Sequence, residues 1–328
     1  MIGRSTAIDR SVRVNIVNRL DRDAAAERAS LVRSLRGRPA AIAPKYFYDA
    51  LGSALYGAIC ELPEYYPTRT EHAIFEANRV AIAEAIGTGT QFIDLGAGDG
   101  TKAEGWLPYI VPVRYVALDI AGDALARTLD RLAGRFPGIA MTGVVTDFTR
   151  GLDLAIELSD APLTFFYPGS SIGNFDPEES IELLRSVHAA CSTRPGSGLL
   201  IGIDTKKEKA RLDAAYDDAL GVTASFNRNI LNHVNRVIGS DFDASAFTHR
   251  GFYDEALGRV EMHLEASSPQ AVLIDEETRV FDKGERIHTE SSYKYAPDEF
   301  ETLIACAGFA IARRWQDANG DFAVFWAA

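Results

Sequence analysis

A glycine-rich turn between two apolar segments constrains this chain more than any other feature of its sequence. Residues 92–100 read Phe-Ile-Asp-Leu-Gly-Ala-Gly-Asp-Gly, and Asp119 follows 19 positions after Gly100, at the end of the apolar segment 115–118. In an open α/β sheet such a turn lets the backbone approach a ligand, and a carboxylate at the end of the next strand accepts hydrogen bonds from ribose hydroxyls. The pair therefore predicts a nucleotide-type site on a Rossmann-like sheet.

The spacing of the glycines distinguishes between possible ligands. A dinucleotide-binding turn reads G-x-G-x-x-G, and its last glycine packs a helix whose N-terminus faces a pyrophosphate. Here the pattern is Asp94-x-Gly96-x-Gly98-x-Gly100, which resembles the first motif of S-adenosylmethionine-dependent methyltransferases. The ligand of those enzymes carries an adenosine but no phosphate. The spacing therefore favours S-adenosylmethionine and disfavours a nicotinamide dehydrogenase.

Further residues along the chain fit an adenosine site. Glycine permits positive φ and close backbone approach, which makes Gly96, Gly98 and Gly100 candidates for the cofactor cradle. A glycine turn alone also ends strands in phosphate-binding or purely structural sheets. Asp119 and the pair Asp147-Phe148 at the end of the third predicted strand strengthen the interpretation, because the pair offers a carboxylate for the adenine amine and a ring for stacking. Lys102, just beyond the turn, completes the predicted cofactor-binding set.

Strands and helices alternate through the middle of the chain. The patterns predict strands over 92–95, 113–118, 139–145, 162–167 and 198–203, with helices over 70–86, 122–135 and 177–190. Such alternation implies a mainly parallel sheet covered on both faces. After Asp204 the pattern changes to helices over 206–218 and 225–238 and to antiparallel-type alternation over 252–266 and 270–280.

The change at Asp204 predicts an α/β protein of two domains. The first is a Rossmann-like class I methyltransferase sheet formed by residues 70–204 and 294–328. The second is an α+β substrate-binding domain formed by residues 1–69 and 205–293, in which residues 1–45 are expected to be helices with loops.

Composition excludes several classes of function. The 328 residues carry a net charge of −12, which disfavours nucleic-acid binding by phosphate neutralisation. No apolar run approaches the roughly 20 residues that cross a bilayer, so we expect no membrane contact. Cys60, Cys191 and Cys306 are far apart, and the six histidines lack zinc spacing, which predicts no metal site. We expect a cytoplasmic protein with a small-molecule substrate.

Candidate substrate residues lie outside the glycine turn. Asn174 follows the fourth predicted strand, at the end of a sheet where such folds bind ligands, and its amide both donates and accepts hydrogen bonds. Glu290 and Ser292 are two apart on an extended segment, so their side chains share one face. Taken alone, these patterns also suit an ordinary turn and a solvated strand face. Tyr65, Tyr216 and Met262 are equally compatible with core positions.

A set of ordered motifs gives these residues a common interpretation. Together the motifs resemble the histidine-specific Nα-methyltransferases of ergothioneine biosynthesis over about residues 45–328. They are Phe47-Tyr-Asp49, Leu62-Pro-Glu-Tyr-Tyr-Pro-Thr-Arg69, Gly169-Ser-Ser-Ile-Gly-Asn174, Ala215-Tyr-Asp-Asp218, Phe226-Asn-Arg-Asn229, Val260-Glu-Met262 and Thr289-Glu-Ser-Ser292. The resemblance implies S-adenosylmethionine-dependent trimethylation of L-histidine to hercynine, by a protein expected to be a monomer.

The resemblance also implies roles for single residues. Tyr65, Asn174 and Tyr216 correspond to the catalytic residues that hold the substrate's α-amino and carboxylate groups. Tyr48 corresponds to a neighbour that acts near the carboxylate through water. Glu290 and Ser292 correspond to a clamp on the imidazole, and Met262 packs against that ring.

The chain departs from the family pattern near the cofactor. Actinobacterial members read Gly-Ser-Gly-Thr-Ser at the turn, whereas this chain reads Gly96-Ala-Gly-Asp-Gly100; Asp119 is followed by Ile120 where Ser is frequent, and Ser291 differs. These changes leave the proposed substrate contacts matched. Two alternatives stay open at this stage: a methyltransferase for another small amine or amino acid, and a cofactor-binding regulatory subunit without catalysis.

Overall fold

The computed structural model describes residues 14–20, 24–148, 151–152, 154 and 158–328. The strands in chain order are β1 (Val14–Asn18), β2 (Ala40–Ala41), β3 (Gln91–Leu95), β4 (Arg114–Asp119), β5 (Ala140–Val145), β6 (Leu163–Tyr167), β7 (Gly198–Asp204), β8 (Phe247–Asp254), β9 (Arg259–Ala266), β10 (Gln270–Ile274), β11 (Glu277–Phe281), β12 (Arg286–Tyr293), β13 (Ile311–Gln316) and β14 (Phe322–Ala327).

Helices connect these strands. They are α1 (Ala24–Arg36), α2 (Ala50–Cys60), α3 (Pro67–Ile86), α4 (Thr101–Glu104), α5 (Leu107–Ile110), α6 (Gly122–Arg135), α7 (Pro177–Cys191), α8 (Lys209–Tyr216), α9 (Val222–Ile238) and α10 (Pro297–Cys306). Short 3-10 turns span Pro44–Phe47, Ser171–Asn174 and Ala244–Ala246.

The large sheet has the strand order β1-β5-β4-β3-β6-β7-β14-β13. The first six strands are parallel, and β14 enters antiparallel between β7 and β13. Strands β3, β6 and β7 are buried along their whole length, as expected for a parallel sheet with helices on both faces. The predicted α/β class with a Rossmann-like class I methyltransferase sheet is confirmed.

The direction of winding reverses at β3. This strand pairs with β4 on one side and with β6 on the other, so the connections that leave β3 and β6 diverge at their carboxyl ends. Open α/β sheets bind ligands in the crevice at such a switch point. The topology therefore places the glycine turn after β3 and the Gly169–Asn174 loop after β6 beside the same crevice.

A second unit packs around a smaller sheet of order β2-β12-β9-β8, with the β10-β11 hairpin beside it. Burial alternates along β9, because one face of this sheet packs against helices α8 and α9 and the other faces outward. A hydrophobic core separate from the two that cover the large sheet joins the small sheet to α1, α2, α8 and α9.

The amino-terminal part of the chain differs from its prediction. Residues 14–18 form a strand that pairs in parallel with β5 at the edge of the large sheet, whereas helices and loops of the second domain were expected over 1–45. The segment Val-Asn-Ile-Val-Asn is short and half polar, so its sequence carries little sign of a strand whose pairing partner lies more than 120 residues away. Residues 1–13 lie outside the described part of the chain.

The small sheet also has more strands than expected. The alternation over 252–266 covers two strands, β8 and β9, which are separated by a turn that ends at Gly258 with φ of +66°. The polar pair Asp254-Glu255 and Gly258 interrupt the alternation at this turn, so the single segment predicted over 252–266 passed over a break that the sequence contains.

Candidate active site

The glycine turn after β3 is built from backbone in the left-handed region. Gly96, Gly98 and Gly100 have φ of +74°, +54° and +70°, and a Cβ on Gly100 would lie 2.6 Å from Thr128 Cγ2 on α6. Asp119 Oδ2 accepts a hydrogen bond from the Gly98 N–H at 2.9 Å, and Oδ1 accepts from the Ala121 N–H at 2.8 Å. Each carboxylate oxygen keeps further lone-pair capacity, which is the capacity a ribose diol needs.

The remaining predicted cofactor residues surround this turn at different distances. The ring of Phe148 lies 4.0 Å from the Cβ position of Gly96 and makes an edge contact with Tyr167. Asp147 lies at the same strand end, with Oδ2 3.8 Å from Lys45 Nζ. The roles of both residues toward a cofactor stay a prediction.

Lys102 points away from the turn toward the loop after β6. Its Nζ lies 2.6 Å from Oε2 of Glu71, which is 1% exposed, and Glu71 Oε1 accepts a hydrogen bond from the Gly169 N–H at 2.6 Å. A Cβ on Gly169 would lie 2.9 Å from Lys102 Nζ. The Lys102–Glu71 pair thereby joins the helix of the cofactor turn to the loop that carries Asn174.

All seven predicted substrate residues line one cavity, which lies between the large sheet and the second unit. The cavity encloses about 630 Å³, a volume that includes solvent space at its open mouth. The predicted residues on its wall are Tyr48, Tyr65, Asn174, Tyr216, Met262, Glu290 and Ser292. The structure brings these side chains together from six separate segments of the chain; their contacts to a substrate remain a prediction.

The loop after β6 fixes the position of Asn174. Asn174 ends the 3-10 turn Ser171–Asn174, and a Cβ on the preceding Gly173 would lie 2.6 Å from the Tyr293 carbonyl oxygen on β12. A side chain at 173 would therefore push the loop off the small sheet. Close packing at Gly173 seats Asn174 against the strand that carries Glu290 and Ser292.

Strand β12 carries the predicted imidazole clamp. It pairs antiparallel with β9, with Glu290 opposite Met262, and its register shifts at a bulge between His288 and Glu290. Glu290, Ser292 and Lys294 alternate onto the face that lines the cavity. Burial raises the pKa of the Glu290 carboxyl to about 7, although the nearby Lys294 ammonium acts in the opposite direction.

The cavity tyrosines hold their protons firmly. Burial raises the pKa of Tyr65 well above its ordinary value, and burial likewise raises that of Tyr216 even though Lys294 opposes the shift. The rings of Tyr65 and Tyr216 make an edge contact with centroids 6.0 Å apart. Near neutral pH both hydroxyls are therefore neutral groups that donate and accept hydrogen bonds.

A buried ion cluster behind this wall was missed by the sequence reasoning. Lys294 and Asp204 are each 1% exposed in their side chains and form an ion pair of 2.9 Å. Asp204 also accepts hydrogen bonds from Lys207 Nζ at 2.5 Å and from the Tyr66 hydroxyl at 2.7 Å. Lys207 follows the end of β7, and Lys294 follows the end of β12. A polar residue just after a strand usually lies in a solvated loop, so the sequence does not indicate that these two lysines are buried.

Aromatic side chains complete the wall. Tyr56 and Phe226 line the same cavity, and the Tyr56 ring makes an edge contact with Tyr48 at 5.9 Å between centroids. Sequence reasoning did not single them out; Tyr56 lies on α2 one helical turn from the cavity-lining Ile59, and this spacing is the signal that would have indicated it.

Two kinds of feature are absent from the described ranges, a membrane-crossing helix and a cluster of metal ligands. None of the helices found there is long and apolar enough to cross a membrane. Among the same residues, no group of three or more His, Cys, Asp or Glu is arranged to hold a metal ion.

A Rossmann-like sheet with a glycine-rich turn, a carboxylate at the end of the next strand and an adjoining cavity is typical of the class of S-adenosylmethionine-dependent methyltransferases. Within that class, residues 27–328 match the family described as histidine-specific, S-adenosylmethionine-dependent methyltransferase, and the chain belongs to this family.

Named relatives agree with this membership. The chain is 36% identical to a histidine N-alpha-methyltransferase of Mycobacterium tuberculosis, over 97% of this chain and 100% of that protein. It is 36% identical to the protein of the same name from Mycolicibacterium smegmatis, over 94% of this chain and 97% of that one. It is 29% identical to ergothioneine biosynthesis protein 1 of Neurospora crassa, over 83% of this chain and 31% of that protein.

Proposed function

We propose that this protein transfers methyl groups from S-adenosylmethionine to the α-amine of L-histidine and continues to the trimethylated betaine, hercynine. The observation that carries the proposal is the convergence of all seven substrate residues on one cavity beside the cofactor turn. Membership in the histidine-specific family and the two mycobacterial relatives support the same substrate. We further propose that the enzyme works as a monomer in the cytoplasm. The cysteines are free and far apart in the sequence, and this arrangement is compatible with the proposal.

The residues of the turn fit S-adenosylmethionine. The turn exposes backbone without side chains at Gly96, Gly98 and Gly100, Phe148 borders Gly96, and Asp119 offers acceptor capacity on both oxygens. We assign Asp147 to the adenine amine, and Lys102, whose Nζ pairs with Glu71, to the support of the turn. When bound, S-adenosylmethionine supplies an electrophilic methyl group on a sulfonium.

The cavity fits an amino acid with a polar ring. Glu290 provides an acceptor for an imidazole N–H, Ser292 reaches the other ring nitrogen, and Met262, opposite Glu290 across the sheet, packs an apolar surface on the ring. Tyr65, Asn174 and Tyr216 line the same wall, and we assign them to the α-amino and carboxylate groups, with Tyr48 as a neighbour near the carboxylate. A wall with buried polar groups rejects ring systems that leave those groups unpaired.

The chemistry requires a neutral amine, because an ammonium has no lone pair with which to attack. The amine therefore loses a proton to water before each transfer, and the new C–N bond forms as the bond from the methyl carbon to sulfur breaks and S-adenosylhomocysteine leaves. Tyr65 and Tyr216 keep their protons, since the pKa of each is raised, and Asn174 is uncharged. These three groups orient the nitrogen lone pair without competing as nucleophiles and without a dedicated strong base. Orientation of this kind supplies on the order of 7–11 kcal/mol of the barrier reduction.

The proposal is tested by incubating the protein with S-adenosylmethionine and single amino acids, including histidine, tyrosine and tryptophan, and by reading product masses. Histidine should gain three methyl masses, and the other amino acids should gain none at equal concentration. If histidine gains no methyl mass and another amino acid does, that amino acid is the substrate and the proposed histidine activity is wrong.

Glu290→Ala tests the imidazole clamp. Because it removes a charged acceptor from the ring, it should raise the KM for histidine on the order of 100-fold and leave binding of S-adenosylhomocysteine unchanged. Glu261→Ala is the matched control, since Glu261 is on the neighbouring strand and contacts His263 and Arg259 on the outer face. An equal KM in wild type and Glu290→Ala would remove the clamp from the proposal.

A further inference from the structure

Lys294 occupies an unusual position for a lysine, since its ammonium is buried at the wall of the substrate cavity. Nζ donates to the Tyr216 hydroxyl at 2.8 Å and to Ser292 Oγ at 2.9 Å, and it forms the ion pair with Asp204 at 2.9 Å. An ammonium has three N–H donors and no acceptor. These three contacts use all of its donors.

The electrostatic surroundings keep Lys294 charged. Burial alone would lower the pKa of its ammonium, but Asp204 and the Tyr216 oxygen raise the pKa above the ordinary lysine value. Asp204 lies between two ammonium groups, Lys294 and Lys207, so this cluster carries one net positive charge behind the cavity wall. Near neutral pH Lys294 is therefore a charged hydrogen-bond donor.

The contacts of Lys294 determine the proton arrangement of two predicted substrate residues. The Tyr216 and Ser292 hydroxyls each accept from Lys294, and they lie 3.1 Å apart, so one donates to the other. A phenol is the stronger hydrogen-bond donor and an aliphatic hydroxyl the stronger acceptor, which favours donation from Tyr216 to Ser292. Ser292 Oγ then accepts twice, and its own proton is left to point into the cavity.

We propose that Lys294 is a positioning residue that makes Ser292 a hydrogen-bond donor and, with Glu290 as acceptor, adapts the ring subsite to an imidazole that carries a single N–H. This inference rests on the proposed function, and it adds that the site selects the tautomer and the charge of the substrate's imidazole ring. A neutral imidazole offers one N–H and one lone pair, which match Glu290 and Ser292. A ring methylated on nitrogen, or a doubly protonated ring beside the cationic cluster, leaves one of these groups unpaired.

Lys294→Met tests the inference, because methionine preserves the length of the side chain and Asp204 keeps Lys207 as its partner. The KM for histidine should rise roughly 10- to 100-fold, as expected for lost charge-assisted hydrogen bonds, while S-adenosylhomocysteine affinity by calorimetry stays within about threefold of wild type. Lys207→Met is the matched control. It removes an ammonium from the same carboxylate but contacts neither Tyr216 nor Ser292, and it should change this KM by less than about threefold.

A specificity readout separates positioning from general destabilisation. The kcat/KM ratio of histidine to the ring-N-methylated form whose methylated nitrogen faces Ser292 should fall at least about fivefold in Lys294→Met, because Ser292 is free to turn its proton away. The same ratio should hold in Lys207→Met. Equal ratios in wild type and Lys294→Met, or equal changes in both lysine variants, would overturn the inference.

Folding and function are checked separately. Circular dichroism and S-adenosylhomocysteine binding report whether each variant folds; should Lys294→Met not fold, Lys294→Gln, which retains a polar head without charge, takes its place in the same comparison. Wild-type activity on histidine tests the proposed function itself. An inactive wild type overturns that function, whereas an active wild type with an unchanged Lys294 variant overturns this inference alone.

Discussion

Glu290 has opposite effects on binding and on stability. Burial raises the pKa of its carboxyl from 4.5 to about 7, so the folded protein holds this proton more tightly than the unfolded chain does. The stabilising contribution of protonation is present in full below pH 4.5 and is lost as pH rises through about 7. Above neutral pH the ionised carboxylate that would receive the imidazole therefore costs folding free energy, up to about 3 kcal/mol.

Glu290→Gln should accordingly stabilise the protein at pH 8 by about 1–3 kcal/mol and have little effect at pH 4.5. Urea unfolding at the two pH values measures the difference. Glu261→Gln provides a control of opposite sign: burial acts to raise the Glu261 pKa, but His263 and Arg259 lower it overall, so that change should destabilise at pH 8. Equal stability of wild type and Glu290→Gln at pH 8 would contradict the assigned pKa shift.

Asp119 combines a structural and a binding role. Its two oxygens hold the N–H groups of Gly98 and Ala121 and retain capacity for a ribose. Asp119→Ala should raise the Kd for S-adenosylhomocysteine roughly 10- to 100-fold, with little change in the histidine KM at saturating cofactor. Asp99→Asn is the control, because Asp99 lies in the same turn and caps the Thr101 N–H. Unaltered affinity in Asp119→Ala, measured by calorimetry, would exclude the ribose assignment.

The turn after β3 depends on the absence of a Cβ at one glycine, Gly100. At Gly100, φ of +70° disfavours other residues, and an added Cβ would lie 2.6 Å from Thr128 Cγ2 and 3.1 Å from Leu132 Cδ1. Gly100→Ala should therefore cost about 2–4 kcal/mol of stability and weaken S-adenosylhomocysteine binding. Gly239→Ala isolates the backbone cost, since Gly239 has φ of +69° and ψ of +28°, close to the backbone of Gly100, with open space around it, and should cost only about 1 kcal/mol. Similar losses in both variants would contradict a packing role for Gly100.

Elements with local signals were predictable from the sequence. The strands that end at Leu95 and Asp119 combine apolar runs with a glycine or a carboxylate, and α7 begins at Asp176 with Pro177 and a capping box, so their bounds nearly match the prediction. β1 was not predictable, because an edge strand of five residues is defined by its partner β5 rather than by its own pattern.

The candidate site divides in the same way. Glu290 and Ser292 were recognisable as a pair on one strand face. The family resemblance predicted that Asn174 and Tyr216 both hold the substrate's α-amino and carboxylate groups. The burial of Lys294 was not recognisable, because it depends on Asp204, which is 90 positions away in sequence. Local patterns therefore indicated the wall of the cavity but not the charges behind it.

At the scale of the whole molecule, the chain makes two of its crossings between the two units at adjacent points. It leaves the large sheet after Asp204 and returns before Tyr295, and a parallel bridge joins Thr205 to Tyr295. The Tyr295 N–H also donates to the Asp204 carbonyl at 3.3 Å. The Lys294–Asp204 ion pair lies at this crossing, so one buried contact both supports the cavity and ties the second unit to the large sheet.

Removal of the central carboxylate should therefore affect the molecule more than removal of either ammonium. Asp204→Ala leaves Lys294 and Lys207 buried without a counter-charge and should cost about 3–5 kcal/mol, whereas Lys294→Met leaves a balanced pair. Asp321→Ala is the control: Asp321 pairs with Arg211, whose side chain is 44% exposed, and its loss should cost about 1 kcal/mol.

Urea unfolding followed by two probes measures the loss of stability in Asp204→Ala and shows whether that loss affects one unit or both. Trp106, Trp315 and Trp326 all belong to the large-sheet unit, so fluorescence reports that unit, whereas far-ultraviolet circular dichroism reports both. In wild type the two transitions should coincide, because the crossing couples the units. In Asp204→Ala the dichroism transition should begin at a lower urea concentration than the fluorescence transition, since the second unit loses the Lys294–Asp204 ion pair that joins it to the large sheet. Coincident transitions in Asp204→Ala, or equal losses for Asp204→Ala and Asp321→Ala, would show that the crossing does not couple the units.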